Sequence, residues 1–114
     1  MRIIIAGGRD FNDYEKLQRK CDYYLQKQEE ITILSGAAQG ADKLGERYAE
    51  ERGHKIKQHK ANWKIGKQAG VLRNIQMAKD ADALIIFWDG KSKGARHMIQ
   101  QAEKHGLKTR IVKY

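Results

Sequence analysis

The sequence contains no proline and only one cysteine, Cys21, among its 114 residues. A single cysteine excludes an internal disulfide and a zinc site built from several thiolates. Its spacing with Leu17 and Leu25 favours a core position over a reactive thiol. No apolar run approaches the roughly 20 residues that a membrane helix needs, and MRIIIAGG is too short for a secretory signal. We therefore expect a cytoplasmic protein with no membrane partner.

Acidic residues are also few, with 14 Asp and Glu against 23 Lys and Arg and a net charge of +9. This excess favours a polyanionic or phosphorylated partner, although a solvated lysine-rich surface explains it equally well. Nucleic-acid-binding modules usually interleave aromatic with basic residues, and here only Trp63 and Trp88 lie near the basic clusters. Binding to DNA or RNA is therefore the second choice.

Several catalytic and binding motifs are missing. No GxGxxG motif follows the first predicted strand, so ordinary dinucleotide binding has no support. The segment Gly90-Lys91-Ser92 resembles the end of a phosphate-binding P-loop, but Ile85 stands where that motif requires glycine. The four histidines lack metal-ligand spacing, and neither Ser35 nor Ser92 has a visible triad partner. We expect no metal and no triad hydrolysis.

The stretch around which the chain is organised is Ala83 to Trp88, followed by a loop containing Asp89 and two glycines. This run has no polar residue, which is typical of a strand buried on both faces of a parallel sheet. Arg2 to Ala6 predicts a second central strand. Three further strands are predicted at residues 31–34, 54–60 and 107–112, the last two at the sheet edges.

Five strands that alternate with four helical patterns predict an α/β protein, a single domain over residues 1–114 with a doubly wound parallel sheet. The order 3-2-1-4-5 places the two most apolar strands in the middle. Ligands of such sheets bind outside the carboxyl ends of the strands, where the order reverses. The three glycine-rich loops, Gly7–Asp13, Ser35–Asp42 and Asp89–Gly94, all follow strands that end there. The sequence therefore predicts a ligand site between them.

The predicted site combines backbone amides with a few side chains. Loop amides with Arg9 and Lys91 can hold a phosphate, Asp42 or Glu46 can accept from ribose hydroxyls, and Trp88 or Trp63 can stack on a base. Favourable charge at a helix N-terminus explains Asp42 and Glu46 equally well, and Asp89 is equally suited to a turn. The candidate ligand-binding residues are Gly7, Gly8, Arg9, Ser35, Gly36, Gly40, Asp42, Glu46, Arg73, Asn74, Trp88, Asp89, Gly90, Lys91, Ser92 and Gly94.

Four segments in order, GGRDFND, SGAAQGADKLGERYA, ANWKIGKQAGVLRNIQM and ADALIIFWDGKSKGARHMI, resemble the YspA, cpYpsA-related branch of the SLOG families. The wider superfamily includes the DNA-processing proteins and the LOG enzymes. The resemblance implies a three-layer Rossmann-like sheet whose glycine loops bind a nucleotide or nucleotide-derived ligand. The family's second loop usually reads Ser-Gly-Gly-Ala-Arg-Gly-Ala-Asp, so Ala37 and Gln39 replace a glycine and an arginine. Ligand preference can differ accordingly.

The LOG phosphoribohydrolases carry an Arg-Lys-x-x-Met segment, which the chain resembles at Arg73, Asn74 and Met77. His97 stands where their catalytic glutamate would fall. An oxocarbenium-like transition state is stabilised by a carboxylate and poorly by a histidine. We therefore expect a binding or sensing protein. The alternative is an N-glycosidase or phosphoribosyl hydrolase that uses Arg73 with Glu46 or His97. No cofactor is expected, and the sequence leaves self-association open.

Overall fold

The computed structural model describes all residues, 1–114, as alternating strands and helices. The strands are β1 (Arg2–Gly7), β2 (Thr32–Ser35), β3 (Lys55–Gln58), β4 (Ala83–Trp88) and β5 (Lys108–Lys113). The helices are α1 (Tyr14–Leu25), α2 (Ala41–Arg52), α3 (Gln68–Asp80) and α4 (Lys93–Lys104). One turn of 3₁₀ helix, Trp63–Ile65, precedes α3.

The strands form one parallel sheet in the order β3-β2-β1-β4-β5, which confirms the predicted topology. β1 pairs with β4 from Ile3 opposite Ala83 to Gly7 opposite Phe87. On its other side β1 pairs with β2. Because the strand order reverses at β1, the loops after β1 and β4 diverge toward opposite faces and open a crevice at the carboxyl edge.

Alternate residues of the central strands supply two separate cores, one on each face of the sheet. Ile3 and Ile5 of β1 pack with Leu17 of α1 and Tyr48 of α2. Ile4 and Ala6 face the other way, toward α3 and α4, where the core includes Met77, Met98 and Ile99. The two-residue alternation of β1 therefore explains how one apolar strand supports two helical layers.

Local sequence signals explain several of the helix ends. The Asp13 side chain accepts from the amide of Lys16 and caps α1, as its position predicts. Gly53 ends α2 with φ of 72°, the left-handed conformation expected of a C-terminal glycine. Cys21 is fully buried, and burial raises its pKa to about 12, so the predicted core position is confirmed. None of the four helices is long and apolar enough to cross a membrane.

The sequence predicts a loop over residues 61–70 before the third helix, whereas α3 begins at Gln68, ahead of Gly70. Gly70 instead lies in the first turn of the helix, where an unpartnered backbone amide is normal and glycine costs little. The earlier start brings Arg73 onto the second turn of α3, facing the carboxyl edge of β2.

Candidate functional site

A cavity of about 450 Å³ lies at the carboxyl edge of the sheet, between β1 and β4. Its walls come from the loops after β1, β2 and β4, the first half of α4 and the middle of α3. The lining residues are Ala6, Gly7, Gly8, Arg9, Asp10, Ala38, Asp42, Arg73, Asn74, Met77, Ile86, Asp89, Ser92, Gly94, Ala95 and Met98. The structure thus brings residues of all three glycine-rich loops to the crevice that the strand order creates.

The first two loops are packed directly against each other, backbone to backbone. Gly40 has φ of 81°, and a Cβ at this position would lie 2.2 Å from the carbonyl oxygen of Gly8. The amide of Ala41 donates to that same oxygen at 3.2 Å, while the amide of Gly8 donates to the Phe87 oxygen at 3.0 Å. Glycine is therefore required at residue 40, because any side chain would separate the loops that form the cavity.

Two opposite charges, Asp42 on α2 and Arg73 on α3, flank Gly36. A Cβ on Gly36 would lie 2.7 Å from Asp42 Oδ2 and 3.0 Å from Arg73 Nη1. Arg73 Nη1 donates to the Gly36 oxygen at 2.9 Å, and Asp42 Oδ2 accepts from the Ala38 amide at 3.3 Å. Both side chains therefore hold the second loop in place while they line the cavity.

Burial changes the titration of this pair. Asp42 is only 5% exposed, and desolvation raises its pKa to about 6 against the opposing effects of the Ala38 amide and the Arg73 charge. Burial also lowers the pKa of Arg73, with Arg9 acting in the same direction. Arg73 Nε is buried and has no hydrogen-bond partner. The site therefore contains a buried cationic donor whose hydrogen-bonding capacity the protein itself does not satisfy.

Arg9 extends the cationic wall toward solvent. It is exposed, and its guanidinium carbon lies 5.9 Å from the centre of the Trp63 ring. Its loop is supported from below by Tyr114, whose hydroxyl donates to Asp10. The positive charge of Arg9 contributes to the lowered pKa of Arg73, so the two side chains repel each other. A bound anion between them would relieve that repulsion.

The loop after β4 is organised around its own carboxylate. Asp89 Oδ1 accepts from the amides of Lys91 and Ser92, each at 2.8 Å, and the Ser92 amide is the main cause of the lowered pKa of Asp89. These two amides are therefore already used, and Asp89 acts as the turn residue that the sequence allowed. The loop contributes Asp89, Ser92 and Gly94 to the cavity, whereas Gly90 and Lys91 lie outside it.

Two other predicted ligand residues support the second loop without lining the cavity. Ser35 is fully buried and its hydroxyl donates to Glu46 Oε2 at 2.6 Å. The Ser35 hydroxyl oxygen also accepts a hydrogen bond from the Ala37 amide, and the Glu46 carboxylate accepts another from Gln58 at 3.1 Å. This arrangement fixes the loop at the end of β2. Neither residue is placed to touch a molecule bound in the cavity.

Three further predicted residues remain, of which one lines the cavity and two lie outside it. Asn74 is 6% exposed and lines the cavity, while its side chain contacts His97 Nδ1 at 3.1 Å from the opposite side. His97 itself lies behind Asn74, and burial lowers its pKa. Trp88 donates from its indole nitrogen to the Ser92 oxygen and packs against the core, so its ring braces the third loop. His97 and Trp88 are outside the cavity lining.

Sequence reasoning missed several lining residues. Asp10 lies within the predicted first loop but was not singled out. Met77, Ala95 and Met98 occur at apolar positions of helical patterns, which predict a core. These side chains form the cavity floor because the α3–α4 layer continues beneath the crevice. An apolar residue gives no sequence signal that separates a cavity floor from a core.

The fold and the cavity define a Rossmann-like α/β domain with an arginine-lined crevice at the switch point of its sheet. The model of the YspA, cpYpsA-related SLOG family matches residues 1–66, and the chain belongs to this family. The match includes the first two loops of the cavity. The chain is also similar to the Gene 61 protein of Mycobacterium phage D29, with 33% identity covering 93% of this chain and 91% of that protein.

Proposed function

We propose that this protein binds a phosphorylated, ribose-containing nucleotide or nucleotide derivative in the cavity between β1 and β4. Membership of the SLOG family is consistent with a nucleotide-related ligand. The cavity volume of about 450 Å³ falls within the range of small-molecule sites. The proposed role is recognition of the ligand, as in a sensor, rather than its turnover.

The observation that carries this proposal is the placement of two arginines, Arg9 and Arg73, in the lining of one cavity, with Arg73 held in position by its hydrogen bond to the Gly36 oxygen. A phosphate oxygen is a suitable acceptor, because guanidinium pairs with phosphate through short charge-assisted hydrogen bonds. Arg9, on the facing loop, supplies a second cation to the same group.

Other lining residues suit the sugar. Asp42 and Asp10 present carboxylate oxygens that accept hydrogen bonds from hydroxyl groups, and the Asn74 amide can donate or accept. The apolar floor formed by Met77, Ile86 and Met98 fits the carbon face of a ribose ring. A polar rim above an apolar floor is the usual construction of a small-molecule site.

A thermal-shift panel tests the proposal with ribose 5-phosphate, nucleoside mono- and diphosphates, and ADP-ribose. At least one of these is expected to raise the Tm of the wild-type protein, and Arg9→Ala is expected to abolish the shift. Arg19→Ala is the matched control, since Arg19 is an exposed arginine of α1 with the same charge. If no compound shifts the wild-type Tm, the proposal fails.

Hydrolysis of the same ligands is the alternative, and the predicted Arg73, Glu46 and His97 remain its candidates. Only Arg73 of the three lines the cavity. Chromatography of nucleoside monophosphates after incubation with the protein separates the two functions, because hydrolysis releases free base. Binding to DNA or RNA is tested by a mobility shift at low salt, which would weaken steeply as salt is added.

A further inference from the structure

A second, smaller cavity of about 250 Å³ adjoins the first. Its lining residues are Arg9, Gly36, Ala37, Ala38, Gln39, Trp63 and Arg73. Three of these, Arg9, Ala38 and Arg73, also line the first cavity. The two arginines therefore stand at the boundary between two hollows, and a group held by them can extend into both.

The two cavities differ in chemistry. The first has three carboxylates in its lining, Asp10, Asp42 and Asp89, which suit the hydroxyl groups of a sugar. The second has no carboxylate in its lining and contains the only aromatic side chain of either cavity, Trp63. Trp63 is 54% exposed, so it is accessible to a planar group.

Gly70 of α3 lies close to both Trp63 and Arg73. A Cβ on Gly70 would lie 3.4 Å from the Trp63 ring and 3.7 Å from Arg73 Nη2. The indole and the guanidinium of Arg73 thus face the same point on α3 from two sides. A ligand whose phosphate contacts Arg73 can place an attached ring on Trp63 within a short reach.

We infer that the two cavities form one bipartite site for a nucleoside diphosphate sugar. The base stacks on Trp63 in the second cavity, the diphosphate lies between Arg9 and Arg73, and the sugar occupies the first cavity. This inference rests on the proposed function and adds to it the class of ligand. A ribose phosphate alone fills only half of the site.

Isothermal titration of the wild-type protein with ribose 5-phosphate, ADP-ribose and UDP-glucose tests the inference. Stacking on an aromatic side chain strengthens binding by about 5-fold to 150-fold per base. At least one of the two nucleoside diphosphate sugars should therefore bind at least about fivefold more tightly than ribose 5-phosphate. Trp63→Ala should remove this advantage, weakening the nucleoside diphosphate sugars more than ribose 5-phosphate, whereas Trp63→Phe should retain most of it.

Ile65→Ala is the matched control, because Ile65 is equally exposed on the same 3₁₀ helix but lines neither cavity. Equal affinities for ribose 5-phosphate and both nucleoside diphosphate sugars would overturn the inference and leave the proposed function standing. So would a Trp63→Ala variant that weakens both kinds of ligand equally, since Trp63 would then not act through the base. No binding of any compound to the wild-type protein would overturn the proposed function as well.

Discussion

Arg73 of α3 donates from Nη1 to the backbone oxygen of Gly36, at the end of β2, at a distance of 2.9 Å. This bond crosses from a helix on one face of the sheet to a loop at its carboxyl edge. The Arg73 side chain therefore fixes the second glycine loop and also lines the cavity. Loop position and ligand recognition depend on the same side chain.

Arg73→Lys is expected to weaken binding of a phosphorylated ligand about tenfold or more. Lysine keeps the charge but cannot donate to Gly36 and to a phosphate with the fixed geometry of a guanidinium. A hydrogen bond to a charged group is worth about 1.5–3 kcal/mol, which corresponds to this loss. Isothermal titration with ADP-ribose measures it, and Arg19→Lys on α1 is the control. An unchanged Kd in Arg73→Lys would show that Arg73 does not contact the ligand.

Asp42 is expected to make the protein less stable as the pH rises from about 4 to about 6. Its pKa in the folded state is about 6, above the ordinary value of 3.8, because burial disfavours the charged form. The folded protein therefore binds more protons than the unfolded chain within this window, and rising pH favours unfolding. A shift of one pKa unit corresponds to about 1.4 kcal/mol.

Urea unfolding of the wild-type protein and of Asp42→Asn across this pH range provides the measurement. The free energy of unfolding of the wild type, relative to that of the variant, should fall by about 3 kcal/mol over the window. Parallel pH profiles of the two proteins would contradict the raised pKa.

Ala37→Gly is expected to stabilise the protein by about 0.5–1 kcal/mol. Ala37 has φ of 61°, a left-handed conformation that costs a residue with a Cβ about 1–2 kcal/mol. Glycine removes this strain but adds entropy to the unfolded chain, so the net gain is smaller. Ala38→Gly, at a neighbouring residue without positive φ, should instead lower the Tm. If Ala37→Gly lowers the Tm as well, the strain at Ala37 is negligible.

Asp80 is expected to lose its stabilising effect at low pH. Its carboxylate pairs with Lys57 Nζ at 2.7 Å, with His59 Nε2 at 3.1 Å and with Arg2, and the Lys57 hydrogen bond is the main cause of its lowered pKa. A lowered pKa gives stability that is present above the ordinary value of an aspartate and is lost as the pH falls through the folded pKa. Asp80→Asn should cost about 1 kcal/mol at pH 7 and less at pH 2.

Thermal unfolding at the two pH values gives this comparison. Glu29→Gln provides the control, because it removes one exposed negative charge outside this network. Equal losses for Asp80→Asn at both pH values would contradict the role of the carboxylate charge.

The fold was predictable because its signals are local and repeated. Ala83–Trp88 and Arg2–Ala6 have uninterrupted apolar runs, and the alternation of strands with amphipathic helices leaves few topologies. The loops of the cavity followed from the same argument. Which polar residues line the cavity and which support its loops was not predictable. Ser35 donates a hydrogen bond to Glu46 rather than facing the cavity, and Asp89 accepts a hydrogen bond from its own loop. Such pairings depend on side-chain packing across loops, which spacing along the chain does not encode.

The site of ligand contact is tested most directly by ¹⁵N–¹H correlation spectra of the wild-type protein titrated with ADP-ribose. Binding at the proposed site predicts that amide shifts concentrate in residues 7–10, 36–40 and 89–95, with further changes near Trp63 and Arg73. Shifts confined to the lysine-rich surface of β3, or no shifts at millimolar ligand, would contradict a nucleotide site between β1 and β4.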